Sequence, residues 1–345
     1  MIRVKAPGLF TTLQDLGRYG AQEQGMPVAG AMDTLGLRIA NALCGNAQNT
    51  AALELSYMGP TLVAEAESVQ FGLAGNMAVE WLPADGGSPK KLGSWRSVTL
   101  KRGEALRIGV LGEAYTYVAV AGGFDLPPLL GSLSTYTRAG LGGFEGRQLR
   151  ENDALPLKSV TPGSDQELAA DAASLYGEGP VRVTLGPQAY RFSEAGTQAF
   201  LSGEYTVSKE ADRMGLRLEG PVIEHLRGAD IASEGIVTGA IQVPGNGQPI
   251  LLLADHQTTG GYTKIATIIS ADLPRVGRLK PGAKLRFQAV SVAEAESIRR
   301  AQEAALKSLL GGMRLARPEG GLDLDALYTA NLISGMVDAA TGADA

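Results

Sequence analysis

The segment from Gly239 to Ile265, GAIQVPGNGQPILLLADHQTTGGYTKI, holds the densest set of residues in the chain that are able to do chemistry. An apolar run, Ile250 to Ala254, ends abruptly in Asp255, His256, Gln257, Thr258 and Thr259, and Gly260, Gly261, Tyr262 and Lys264 follow. A buried strand that empties into hydrogen-bonding groups on a Gly-Gly turn is how a rigid scaffold presents a polar site. The glycines let the backbone approach a ligand, and Lys264 supplies a positive charge.

Four other polar groupings stand out. In Thr11–Gly20, Asp15 and Arg18 can recognise an anion or an amide, or can simply pair with each other across a turn. Asp33 reads as a helix cap, whereas Glu54, inside Ala52-Leu53-Glu54-Leu55, needs an arginine partner or faces a ligand. Glycines cluster at 122–123, 131 and 142–146, and backbone N–H groups there, with Ser132, Ser134 and Arg147, can hold a carboxylate or phosphate. Arg213 and Arg217, beside Asp212, suit a surface ion network as well as a bidentate clamp. No GxxxxGK followed by Ser or Thr is present, so an ordinary P-loop is excluded.

The chain carries only two histidines, His225 and His256, and one cysteine, Cys44. These cannot build a closed Cys/His zinc site, and no metal site is expected. Cys44 lies in a helix-like stretch and reads as a small buried residue. Chemistry therefore rests on carboxylates, Lys, Arg, amides, hydroxyls and backbone N–H groups. A net charge of −5 and no basic stripe argue against nucleic acid, and no apolar run is long enough for a membrane span. The lone cysteine and an N-terminus without an apolar signal core fit the cytoplasm.

The elements that must position these groups are mostly strands. With 46 glycines and 17 prolines punctuating short apolar runs, the chain reads as mainly β. Strands are expected at 68–73, 77–82, 97–100, 105–110, 115–121, 181–185, 236–243, 249–254 and 284–290. A helix capped at Asp33 or Thr34 carries Leu35, Ile39 and Leu43. Ser291 with Glu294 forms a capping box before a second helix, and Leu322 to Val337 reads as a third. The 345 residues exceed what one core usually holds, and the Pro, Gly and acidic stretch 158–180 is the expected boundary.

Taken in order, these segments resemble the biotin-dependent carboxyltransferase family, also called allophanate hydrolase subunit 2. The resemblance runs from about Ile2 to Val290. It rests on PGLFTTLQDLGRYG (7–20), GMPVAGAMD (25–33), VAGGFDLPPLLGSLST (120–135), GGFEGRQL (142–149), ADRMGLRLEG (211–220) and the long block 233–268. It implies two linked cyclophilin-like β-barrel subdomains, 1–160 and 181–290, with residues 291–345 as a helical C-terminal extension. It also implies partners: a KipI or allophanate hydrolase subunit 1 type protein and a LamB/YcsF-type protein.

With these the expected assembly is an ATP-dependent 5-oxoprolinase, this chain its C subunit, opening 5-oxo-L-proline to L-glutamate. In that reading Lys264 and Arg147 stabilise developing negative charge, and Asp255 positions Lys264 or acts as a base. Gln257, Thr258, Thr259, Tyr262, Gln242, Ser132, Ser134, Asp15 and Arg18 bind substrate. Carboxyl transfer from carboxybiotin, with the biotin on a separate carrier, is one alternative; a KipA-like regulator binding a KipI-type protein is the other. Three positions depart from the family pattern: Leu133 stands for an arginine, Thr263 for a proline and Arg278 for a glutamine. The change at Thr263 implies a looser loop.

Overall fold

The computed structural model describes residues 1–158 and 161–316. A 12-stranded sheet built mainly from the first 155 residues wraps one core, and an 8-stranded sheet from the second half wraps another. Leu13, Leu53, Phe71, Leu106 and Val118 lie at the centre of the first. Val183, Phe200, Tyr205, Leu251 and Ile265 lie at the centre of the second. The fold is thus mainly β, with two linked barrels and, among the described residues, four α-helices.

The spine of the first barrel is one strand, Ala105–Val120, rather than the two shorter strands expected. Its first half pairs with Thr61–Ala64 and Met77–Leu82, and its second half with Ala52–Met58 and Ser68–Ala74. Gly112 lies within this strand, where a Cβ would sit 2.8 Å from Asn76 Cβ. Glycine serves a close strand crossing here, not a turn.

Helix α1, Thr34–Leu43, starts where expected: the Asp33 carboxylate accepts from the N–H groups of Leu35 and Gly36, each at 3.0 Å. It buries Leu35, Leu37, Ile39 and Leu43, so it is packed on nearly all sides. The segment just before it reaches the other barrel, where Met32 joins the second core. Helix α2, Glu194–Ser202, covers one end of the second barrel, and the short helix α3, Leu273–Gly277, abuts Met32.

The capping box at Ser291 and Glu294 opens helix α4, Val292–Gly311. This helix crosses back onto the first barrel: Arg38 forms a bidentate pair with Glu303 at 2.6 and 2.8 Å, and Leu306 packs with α1. Arg314–Leu315 then pairs with Gln166–Glu167 at the edge of the first sheet. Within the expected boundary stretch, Ala172, Leu175 and Tyr176 are buried against the packing around α1. The helix expected at Leu322 to Val337 lies outside the described residues.

Candidate functional site

The segment 239–265 folds as three strands and a ribbon. Ala240–Gln242, Ile250–Leu252 and Lys264–Ile268 are neighbours in the second barrel, with Gln242 registered opposite Lys264. Thr259–Tyr262 leaves the barrel and pairs with Asp230–Gly235 as an exposed two-stranded ribbon. Gly260 and Gly261 thus lie in a strand, not in the turn expected of them. The reason is close approach: a Cβ on Gly260 would fall 2.5 Å from Ile236 Cδ1 and 2.7 Å from Gln242 Nε2.

At the ribbon's base Lys264 is 3% exposed. Its Nζ lies 2.6 Å from Glu234 Oε1, a contact that uses at most one of the three ammonium N–H groups, so donor capacity is left unspent among the described residues. Glu234 Oε1 also accepts from Gln188 Nε2 at 2.8 Å, and the Lys264 backbone N–H donates to Gln188 Oε1 at 3.1 Å. Lys264, then Gln188, holds the Glu234 carboxyl below its usual range. Gln242 is buried as well; its Oε1 accepts from Gln257 Nε2 at 3.4 Å, while its own Nε2 has no partner among the described residues.

The turn leading into the ribbon is held by His256. Its Nδ1 donates to the Gln257 carbonyl at 2.6 Å and its Nε2 accepts from the Thr238 hydroxyl at 3.1 Å. Burial lowers its pKa, which fits a neutral structural imidazole. Thr263 does not loosen the loop. Its N–H donates to Ala229 O at 2.8 Å, a bond that proline cannot make, and its hydroxyl meets Val243 O and His225.

Asp255 does not position Lys264. It lies between the barrels, where Arg213 grips it bidentately at 2.9 and 2.8 Å. The same guanidinium donates to Glu54 Oε1 and, at 2.7 Å, to the Gly30 carbonyl. Glu54 Oε2 accepts from Met32 N–H at 2.8 Å and Tyr117 OH at 2.6 Å. Glu54 therefore has the arginine partner its apolar setting demanded, from the other barrel. Burial opposes the Arg213 charge, but Asp255 and Glu54 outweigh it and raise its pKa well above the usual range. Arg217, in contrast, pairs with Glu210 at 2.9 Å on the surface.

Asp15, Ser132 and Ser134 do come together, but as a closed internal knot. Asp15 accepts from the hydroxyls of Ser132 (2.7 Å) and Ser134 and from the N–H groups of Gly17 (2.8 Å) and Leu133 (2.6 Å). The Leu133 side chain packs on the first core. Arg18 does not take Asp15 as a direct partner among the described residues. It donates to the Ser134 carbonyl, has Nε and Nη1 without a partner among the described residues, and has its pKa lowered by burial against the pull of Asp15 and Asp255. Arg147 is not free for an oxyanion: Glu145 and Asp153 engage it, the latter bidentately at 2.8 and 2.9 Å. Arg278 bolts the barrels together, stacking on Tyr176 at 3.8 Å and pairing with Glu113.

Two clefts flank these groups. One of ≈ 510 Å³ is lined by Gln242, Gln257 and Tyr262 on one side and by the strand pair around Lys209–Arg217 on the other. The second, ≈ 410 Å³, lies against Asp255, Arg213 and Tyr115. Arg138, Asp212 and Met214 line both, so the clefts adjoin across the Arg138–Asp212 ion pair of 2.9 Å. Thr258 and Thr259 make no side-chain hydrogen bond among those of the described residues, and Thr259 is exposed on the ribbon. Glu234 and Gln188 escaped the sequence reading: neither lies in a polar run, and they are 46 residues apart.

A two-barrel β protein with a buried lysine and two amides beside a cleft is the class these features define. A family model for the carboxyltransferase domain, subdomain A and B, matches residues 24–289, and the chain belongs to that family. The 5-oxoprolinase C subunit of Escherichia coli is 36% identical over 315 residues, 90% of this chain and 97% of that protein. The corresponding 5-oxoprolinase protein of Haemophilus influenzae is 35% identical, covering 86% and 94%. The crystal structure of the Kluyveromyces lactis urea carboxylase superposes with a TM-score of 0.79 at 27% identity, over 89% of this chain and 29% of that one. No helix among the described residues is long and apolar enough to cross a membrane.

Proposed function

We propose that this chain is the C subunit of an ATP-dependent 5-oxoprolinase that opens 5-oxo-L-proline to L-glutamate in the cytoplasm. The observation that carries the reading is near end-to-end similarity to two proteins of that name, over 97% and 94% of their lengths. The geometry is compatible with it. Hydrolysis of an unstrained lactam needs its carbonyl oxygen activated, and ATP in the complex would supply that activation by phosphorylation. The residues of this chain suited to the task are Lys264, Gln242, Gln257 and Tyr262, donors that can hold an anionic substrate and orient its ring. Asp255 is better suited to fixing the barrels than to acting as a base, and Arg147 is left out of the proposed site.

The partners would be a KipI-type and a LamB/YcsF-type protein. The test is reconstitution with those companions: glutamate should form in step with ADP. An assembled complex that makes no glutamate would overturn the reading. The runner-up is carboxyl transfer from carboxybiotin on a separate carrier, favoured by the likeness to urea carboxylase. Carboxylation of urea or a small amide by the chain with a carboxybiotin carrier, at rates above those with 5-oxo-L-proline, would select it. A KipA-like regulator is distinguished by retained partner binding and regulation without any turnover.

A further inference from the structure

We propose that Glu234 is a resident carboxylate occupying the place of a ligand carboxylate, which displaces it to bind Lys264 Nζ and Gln242 Nε2. The inference deepens the reading above and rests on it for the identity of the ligand, though not for the existence of the site.

The place already holds a carboxylate. Glu234 Oε1 takes Lys264 Nζ at 2.6 Å and Gln188 Nε2 at 2.8 Å, which shows that one negative charge on oxygen fits there. The fit is incomplete. Gln242 and Lys264 are 2% and 3% exposed, stand in register on neighbouring strands, and both retain donor capacity that nothing among the described residues satisfies. Buried donors left unmade are costly, and two of them side by side point to an acceptor from outside. One ammonium and two amide NH2 groups match the single charge and two oxygens of a carboxylate, not the charge of a phosphate.

Glu234 is built to leave. Its side chain is 43% exposed, it lies on the short ribbon outside the barrel, and the ribbon's register is irregular between Asp230 and Glu234. Withdrawal returns it to water without unmaking either core. The entry route is open on the other side, because Gln242 lines the ≈ 510 Å³ cleft. A ligand whose carboxylate takes Lys264 and Gln242 would then project its remainder towards Gln257 and Tyr262, which line the same cleft.

The experiment titrates the full chain with acetate, with inorganic phosphate, with 5-oxo-L-proline and with 2-pyrrolidone, the lactam lacking the carboxylate. Wild type is compared with Glu234→Gln and Lys264→Met by calorimetry. If the resident carboxylate fills the place about nine-tenths of the time, removing its charge tightens acetate and 5-oxo-L-proline binding about 10-fold. Affinity for 2-pyrrolidone should not change. Lys264→Met should abolish the gain in the double variant. Unchanged or weaker acetate binding in Glu234→Gln overturns the proposal, and so does a preference for inorganic phosphate over acetate. Should Lys264→Met fail to fold, the Glu234→Gln titration decides alone. Tighter acetate with no 5-oxo-L-proline binding would uphold the carboxylate site and sink the 5-oxoprolinase reading instead.

Discussion

Arg213 and Lys264 are both cations buried in protein, with side chains 7% and 4% exposed, yet they are used in opposite ways. Arg213 spends its donors on two carboxylates and a carbonyl drawn from both barrels. Lys264 meets one half-exposed carboxylate on a ribbon and lies beside an amide with an empty NH2 group. Both are almost excluded from solvent, so exposure does not tell the two apart. Leftover hydrogen-bonding capacity does: a satisfied cluster fixes an interface, and an unsatisfied one is ready for a ligand.

The largest effect should follow from breaking the satisfied cluster. Arg213→Met leaves Glu54 and Asp255 buried without their cation, and loss of one partner from such a group costs about 3–5 kcal/mol. Urea denaturation should show that loss, with Arg213→Lys recovering only part because it cannot bind both oxygens of Asp255. A cost below about 1 kcal/mol would mean that the barrels do not depend on this contact, and the contrast with Lys264 would collapse.

Lys264→Met should invert the pattern. Glu234 is half exposed and can rehydrate, so stability should change by less than about 1 kcal/mol. Turnover at low 5-oxo-L-proline in the reconstituted complex should fall roughly 10- to 100-fold, the loss expected when a charged hydrogen bond to the substrate carboxylate, worth about 1.5–3 kcal/mol, is removed. A stability loss comparable to that of Arg213→Met would make Lys264 a structural residue and remove the distinction.

How much of this was legible in the chain differs between the two places. Helix starts were readable because a cap is local: Asp33 and Ser291 announce α1 and α4 within three residues. The segment 239–265 was readable as polar and strand-fed. Its internal wiring was not, since Asp255 looks adjacent to Lys264 in sequence but faces Arg213, 42 residues away, and Glu54, 159 residues from Arg213, completes the cluster. Glycine also misled, because Gly260 marks a place where other groups press close rather than a turn. Local chemistry reads from sequence, whereas pairing between barrels depends on a register that only the assembled sheets define.

The smallest effect tests an intermediate case at the same interface. Asp33 is fully buried, accepts from Tyr176 OH at 2.7 Å and from two backbone N–H groups, and has its nearest cation, Arg278, at 3.9 Å. Burial pushes its pKa up to about 6, against the pull of Arg278 first and then of these neutral donors. A raised carboxyl pKa means that the folded chain binds more protons than the unfolded one between about pH 4 and 6. The contribution is fully present below the unfolded value and is lost as pH rises through about 6, so Asp33 should favour pH 5 over pH 7 by about 1 kcal/mol. His256, whose pKa burial lowers, acts in the opposite direction, since its neutral folded form is penalised as pH falls through 6.5. The informative quantity is therefore the difference between wild type and Asp33→Asn, which keeps a good helix cap while removing the titration. That difference should change by about 1 kcal/mol between the two pH values in urea melts. A constant difference would place Asp33 with Glu54 and Asp255, as a carboxylate whose charge the interface fully compensates.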